Sequence, residues 1–144
     1  MLTDVADAWV AVLSGQGDVR ARPTPSVWSP LEYACHVRDV FRRYDERLQH
    51  MLTDDDPLFA NWDQDATAVA DRYSEQDPSV VAAELRSAAE ELAGRFAALS
   101  AVQWQRTGRR SDGANFTVES FGRYFIHDPV HHLYDVTGPR QTRL

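Results

Sequence analysis

Residues 28–36 read WSPLEYACH, and they carry the strongest helix-start signal in the chain. Ser29 and Glu32 have the spacing of a capping box, in which each side chain bonds the other residue's backbone N–H. Pro30 falls at the first helical position, where its missing N–H costs nothing. Apolar residues then recur at steps of three and four from Ala34 to Met51. This pattern predicts a helix of about 22 residues with one buried face.

The rest of the chain also predicts helices and no convincing strand. Periodic apolar residues predict a first helix over residues 3–13 and a third over residues 77–99, and a Thr117 cap opens a last helix running to about residue 136. Residues 64–71 can form a short helix inside a long polar stretch, and residues 107–113 are typical of a loop. The sequence therefore predicts an all-α four-helix bundle.

Composition narrows the class of protein. A chain of 144 residues fits one domain, which we expect to span residues 1–144. The net charge of −7 argues against nucleic acid as a partner. The single cysteine, Cys35, suits a reducing cytoplasm, and the first residues are acidic where a signal peptide would be basic, with no long apolar run after them. We expect a cytoplasmic protein with a small-molecule substrate and no membrane partner.

Histidines near the end of the chain suggest chemistry. His127 and His131 are four residues apart, so one helix face carries both and two imidazoles can reach one ion. Asp135 extends the row, either as a carboxylate ligand or as the acceptor that orients a histidine. Simple surface exposure explains such a pair equally well. His132 falls on the apolar side of the same helix, which favours a core position.

His36 could complete such a site from the second helix. It lies off the apolar stripe of its helix, which fits a cavity at a seam between helices and fits solvent exposure as well. Tyr33 and Tyr124 each precede a candidate ligand by three residues, so they share its helix face and could line a pocket.

The chain resembles the DinB-like superfamily in two motifs. Residues 28–36 resemble the W-S-x-x-E-x-x-x-H signature that opens the second helix of these proteins, and residues 127–132, HDPVHH, resemble their H-x3-H metal motif. The resemblance implies a DinB-like bundle that holds one divalent transition metal on His36, His127 and His131. Pro129 departs from the pattern, because a proline kinks a helix and could swing His132 inward in place of His131.

The resemblance also implies a class of reaction. The superfamily includes metal-dependent thiol transferases and isomerases that use mycothiol, bacillithiol or glutathione. All fifteen basic residues are arginine, a bias typical of GC-rich coding, which favours mycothiol. The expected cofactors are a Zn, Ni or Fe ion, all of which suit imidazole, with mycothiol as co-substrate of a thiol S-transferase. The alternatives are a metal-dependent hydrolase and a non-catalytic ligand- or partner-binding bundle with a structural or vestigial metal site.

Several further residues could take part in such a centre. Four arginines could meet an anionic substrate, since their planar forks match carboxylates, although surface charge explains them as well; they are Arg38, Arg43, Arg109 and Arg110. Asp63 and Asp65 are candidates for a general base. Cys35 is expected to be inert, because its turn of helix faces the packed side.

A homodimer is the last expectation. Trp9, Ala82 and Ala89 lie on the first and third helices, and we expect them to form an exposed face through which two copies pair.

Overall fold

A computed structural model describes residues 2–15, 17–123 and 132. Its helices are α1 Leu2–Ser14, α2 Pro30–Thr53, α3 Gln64–Ala70, α4 Pro78–Ala97 and a last helix that begins at residue 118 and is described as far as residue 123. Short 3-10 turns occupy Tyr73–Glu75 and Gln103–Gln105. The helix starts agree with the capping residues in the sequence. Within the described residues, no helix is both long and apolar enough to cross a bilayer.

The start of α2 is held by the predicted capping box. Ser29 Oγ accepts the Glu32 N–H at 3.1 Å, and Glu32 Oε1 accepts the Ser29 N–H at 3.1 Å. Arg22 adds a two-pronged contact to the Glu32 carboxylate, at 2.8 and 2.5 Å. Burial favours a higher pKa for Glu32, but the bonds from Arg22 and Ser29 outweigh it and hold the pKa below its ordinary value. The first turns of α2, which carry His36, are thereby fixed.

The core forms where α4 packs against both α1 and α2. Trp9 and Ala89 are completely buried in it, and Ala82 is half-buried. The expectation that these three residues form an exposed face is wrong, because α1 places its apolar side on α4 of the same chain. The homodimer stays a prediction, without this argument for it.

Three short strands form a small sheet that the sequence did not predict. They are β1 Leu58–Phe59, β2 Thr107–Arg110 and β3 Asn115–Thr117. β1 pairs in parallel with β2, and β2 forms an antiparallel hairpin with β3. The prediction of a loop over residues 107–113 is therefore right for the turn at 111–113 and wrong for residues 107–110, which form β2. The backbone groups of these residues bond to a segment about 50 positions away, which local periodicity cannot reveal.

The sheet fixes the segment that follows β1 against α2. The Ser111 N–H donates to the Phe59 carbonyl at 2.8 Å, and the Asn61 N–H donates to Ser111 Oγ at 3.1 Å. From α2, Arg47 donates to the Ala60 carbonyl at 2.8 Å. This segment ends at Trp62, which is thereby held beside α2.

Candidate metal centre

His36 is the centre of a group of aromatic rings. It lies on α2 and is 1% exposed. The Trp62 ring stacks on it with centroids 5.4 Å apart and planes 12° from parallel. The Trp28 ring lies 5.4 Å away at a tilt. Burial between two indoles leaves the His36 ring few orientations.

His132 meets His36 in this enclosure. The two ring centroids are 5.0 Å apart and the planes are nearly perpendicular, at 84°. Tyr33 packs on His132 with centroids 5.1 Å apart, and it also contacts Trp28 at 5.5 Å. Tyr33 and His36, both on the first turns of α2, therefore each contact the His132 ring.

The pair of imidazoles has the spacing that a shared ion requires. Metal–nitrogen bonds of about 2.0–2.1 Å in a tetrahedral arrangement hold two imidazole ring centres about 5 Å apart. The observed separation of 5.0 Å matches this spacing, and it also matches ordinary edge-to-face packing of two rings. In the part of the chain that the structure describes, no three His, Cys, Asp or Glu side chains gather closely enough to hold an ion.

The remaining predicted site residues lie outside the described residues. They are His127, His131, Tyr124 and Asp135, and Pro129 with them. Their places in the site stay predictions. What the structure adds is the position of His132, which the sequence assigned to the core and which lies against His36.

The remaining histidine, His50, and the other candidates lie away from this centre or are already engaged. His50 is exposed and its ring contacts Asp54 at 2.8 Å near the end of α2. Asp63 caps α3 by accepting the Ala66 N–H at 3.0 Å, and Asp65 is exposed in the first turn of that helix. Cys35 is fully buried, and burial raises its pKa to about 12. Cys35 therefore remains a protonated thiol near neutral pH.

The four candidate arginines separate into two groups. Arg38 is buried and bound to Asp39 at 3.0 Å and Glu84 at 3.1 Å. Arg109 pairs with Asp56 at 2.8 Å and Arg110 with Asp112 at 2.7 Å. These three are structural charges. Arg43 is different: its guanidinium lies 4.7 Å from the centroid of the Trp62 ring, and no carboxylate pairs with it among the described residues.

Trp62 is the site residue that the sequence did not reveal. Its indole N–H donates to Thr67 Oγ1 at 2.8 Å, so α3 holds the ring in place. In the sequence it is one aromatic residue in a long polar stretch, with no periodicity around it to indicate burial. Its position beside His36 depends on the small sheet, in which β2 holds the segment that runs from β1 to Trp62.

Fold and site together define a helical-bundle protein in which two imidazoles, His36 on α2 and His132, pack among the rings of Trp28, Tyr33 and Trp62. The sequence matches the DinB superfamily over residues 2–136, and the chain belongs to that superfamily. A solved structure, YfiT from Bacillus subtilis, superposes with a TM-score of 0.82 at 20% identity, over 94% of this chain and 79% of that one. YfiT is described as a probable metal-dependent hydrolase with an unusual four-helix bundle topology. The predicted DinB-like four-helix bundle is confirmed. No curated protein matches the sequence significantly.

Proposed function

We propose that the protein is a metal-dependent enzyme that activates a small thiol for S-transfer. One divalent ion would be held by His36, by His127 and by either His131 or His132. The observation that carries this proposal is the pair formed by the buried His36 and the half-buried His132, whose ring centroids are 5.0 Å apart. A Zn, Ni or Fe ion suits such nitrogen donors. Membership of the DinB superfamily supports it as well.

The residues of the chain prepare this centre before any substrate arrives. Trp28 and Trp62 pack on His36, so little ring entropy is lost when its nitrogen ligates an ion. Tyr33 does the same for His132. The aromatic rings exclude water and lower the local dielectric, which strengthens the interaction of a cation with an anionic sulfur.

Bound there, a divalent ion would lower the pKa of a thiol or a water molecule at an open coordination position. A thiol of the mycothiol type is proposed as co-substrate because the all-arginine basic set indicates GC-rich coding. The protein itself offers no competing sulfur, since Cys35 is buried and its pKa is raised to about 12.

Hydrolysis is the second candidate, and the likeness to YfiT, a probable metal-dependent hydrolase, favours it. The two reactions share the centre and differ in the nucleophile, which is a thiol in one and water in the other. A bundle that binds an ion without turnover is the non-catalytic alternative.

The proposal is tested by metal analysis of protein purified without a histidine tag. We expect about one Zn, Ni or Fe ion per chain in the wild type and in the His50→Ala control. His36→Ala and His127→Ala should lose it, and comparison of His131→Ala with His132→Ala identifies the third ligand. A wild type that binds no stoichiometric ion after reloading with each metal contradicts the proposal.

The nucleophile is then assigned with the loaded enzyme. Mycothiol and an activated electrophile such as 1-chloro-2,4-dinitrobenzene test S-transfer by absorbance, and nitrophenyl esters and anilides test hydrolysis. Turnover that needs both the ion and the thiol supports the first candidate, and thiol-independent turnover supports the second. A protein that binds the ion but catalyses neither reaction supports the non-catalytic alternative.

A further inference from the structure

Arg43 is the one described arginine whose guanidinium makes neither an ion pair nor a hydrogen bond. Each of the other twelve described arginines bonds at least one carboxylate or carbonyl oxygen. The Nε of Arg43 is nevertheless buried. A buried charged donor without an acceptor is costly, and such a group in a native structure calls for an explanation.

The contact that Arg43 does make leaves its donors open. Its guanidinium lies over the Trp62 ring at 4.7 Å, which satisfies the face of the cation. The N–H groups lie in the plane of the guanidinium, and the Nε–H has no hydrogen-bond partner among the described residues. A planar oxyanion in that plane can accept two of them at once.

Space for such a ligand is present beside Arg43. A cavity of about 390 Å³ is lined by Arg43, Arg47, Phe59 and Ala60, among others. A smaller one of about 170 Å³ lies on the Trp62 side and is also lined by Arg43. Arg43 lines both cavities, so a ligand in either of them lies beside its side chain.

The charge around the larger cavity favours an anion. Arg47 has no carboxylate partner in the described part of the chain, and its guanidinium packs over Phe59 at 5.4 Å. Burial, together with the charges of Arg43 and Arg110, lowers the pKa of Arg47. Of the two acids on the wall, Asp54 is engaged by His50 at 2.8 Å and Glu46 is exposed.

Trp62 separates this position from His36. His36 and Arg43 are seven residues apart on α2, a rise of about 10.5 Å. The Trp62 centroid lies 5.4 Å from the His36 ring and 4.7 Å from the Arg43 guanidinium. The indole therefore lies between them, and an anion bound to Arg43 is separated from His36 by the Trp62 ring.

From these contacts we infer that Arg43, backed by Trp62 and assisted by Arg47, is a binding site for the carboxylate of a small organic acid. The site does not include the proposed metal ligands, and a carboxylate can bind there without a bound metal ion. A planar carboxylate matches the fork of Arg43, and an attached aromatic or aliphatic group can rest on the walls formed by Trp62 and Phe59.

The test is an NMR titration of the ¹⁵N-labelled protein as purified. Sodium benzoate, sodium acetate and inorganic phosphate are added separately, with ionic strength held constant by sodium chloride. We expect saturable shifts of the Arg43 Nε–H and the Trp62 indole N–H signals, with benzoate binding more tightly than acetate. Arg43→Gln should weaken binding about tenfold or more, because charge-assisted bonds are lost.

Two variants serve as matched controls. Arg86→Gln makes the same change at an exposed arginine that pairs with Asp7 at 2.6 Å, and it should leave binding unchanged. Glu46→Gln removes the exposed acid from the cavity rim and should tighten binding, which keeps the test informative if Arg43→Gln folds poorly. If phosphate binds more tightly than either carboxylate, Arg43 is still an anion-binding site, but its ligand carries a phosphoryl group and not a carboxylate.

The inference is overturned if the wild type shows no saturable shift. It is overturned equally if Arg43→Gln binds as tightly as the wild type, or if a poorly folded Arg43→Gln is accompanied by a Glu46→Gln with unchanged affinity. The titration needs no added metal. Carboxylate binding at Arg43 can therefore be observed even if the wild type proves to bind no divalent ion.

Discussion

Gly108→Ala is expected to destabilise the protein, because the position has no room for a methyl group. Gly108 is buried in β2. A Cβ there would lie 2.9 Å from Phe59 Cε2 and 3.0 Å from Met51 Cγ. Phe59 and Met51 are 7% and 0% exposed, so both would have to shift within packed surroundings. The substitution tests the contact that holds the small sheet on α2.

The magnitude follows from two opposing terms. Overpacking a core by one methyl group costs about 1–3 kcal/mol, and restricting the unfolded chain returns about 0.4–1 kcal/mol. The net loss is about 1–2 kcal/mol, or a Tm lower by about 3–7 °C for a chain of this length. Gly94→Ala is the matched control, since Gly94 is exposed on α4 with no atom within 4 Å of the added Cβ. It should stabilise the helix by about 0.5–1 kcal/mol.

Urea unfolding followed by circular dichroism measures both variants against the wild type. The two free energies of unfolding should change in opposite directions, because the same substitution meets packed atoms at one position and open solvent at the other. A Gly108→Ala protein as stable as the wild type would refute the reasoning that β2 is packed tightly on Met51 and Phe59.

Three further predictions follow from other parts of the structure. His36→Ala should abolish the rise in Tm that a bound divalent ion produces, whereas His50→Ala should keep it; calorimetry with and without ion measures this, and equal shifts in both variants would contradict the site. The pKa of Glu32 is lowered from its ordinary value of 4.5, so its stabilising effect is present above that value and lost as the pH falls through the folded pKa. Glu32→Gln should therefore be less stable than the wild type near about pH 7, and the difference should shrink at about pH 3; a difference that is independent of pH would count against the Arg22 contact. Cys35, which is 0% exposed, should react with Ellman's reagent only as fast as the protein opens, and immediate labelling of the folded protein would contradict its burial.

The parts of the fold that sequence could predict are those encoded locally. The capping box of Ser29 and Glu32 and the Asp77–Pro78 start place α2 and α4 correctly, because each cap bonds backbone groups within three residues. The place of His36 in the second turn of α2 follows from that start, but its role as a candidate ligand came from the resemblance of residues 28–36 to the DinB-like signature.

The features that could not be predicted from the sequence depend on residues far away in the chain. β1 and β2 are about 50 residues apart, and Leu58 pairs with Arg109 through backbone groups that carry no side-chain signature. Trp9 looked available for a dimer because a helical stripe does not say which element covers it. Trp62 was noted only as a loop aromatic, although its ring is a wall of the candidate centre.

Arginine roles illustrate this limit most clearly. Arg38, Arg43 and Arg109 are chemically identical in the sequence, and each could have met an anionic substrate. The structure separates them by their partners, which come from α4 for Arg38 and from the segment before β1 for Arg109. Arg43 keeps its donors because the element facing it delivers an indole and no carboxylate. A guanidinium held by an aromatic face retains its charge and its in-plane N–H groups, and the fold therefore leaves Arg43 able to bind an anion from outside the chain.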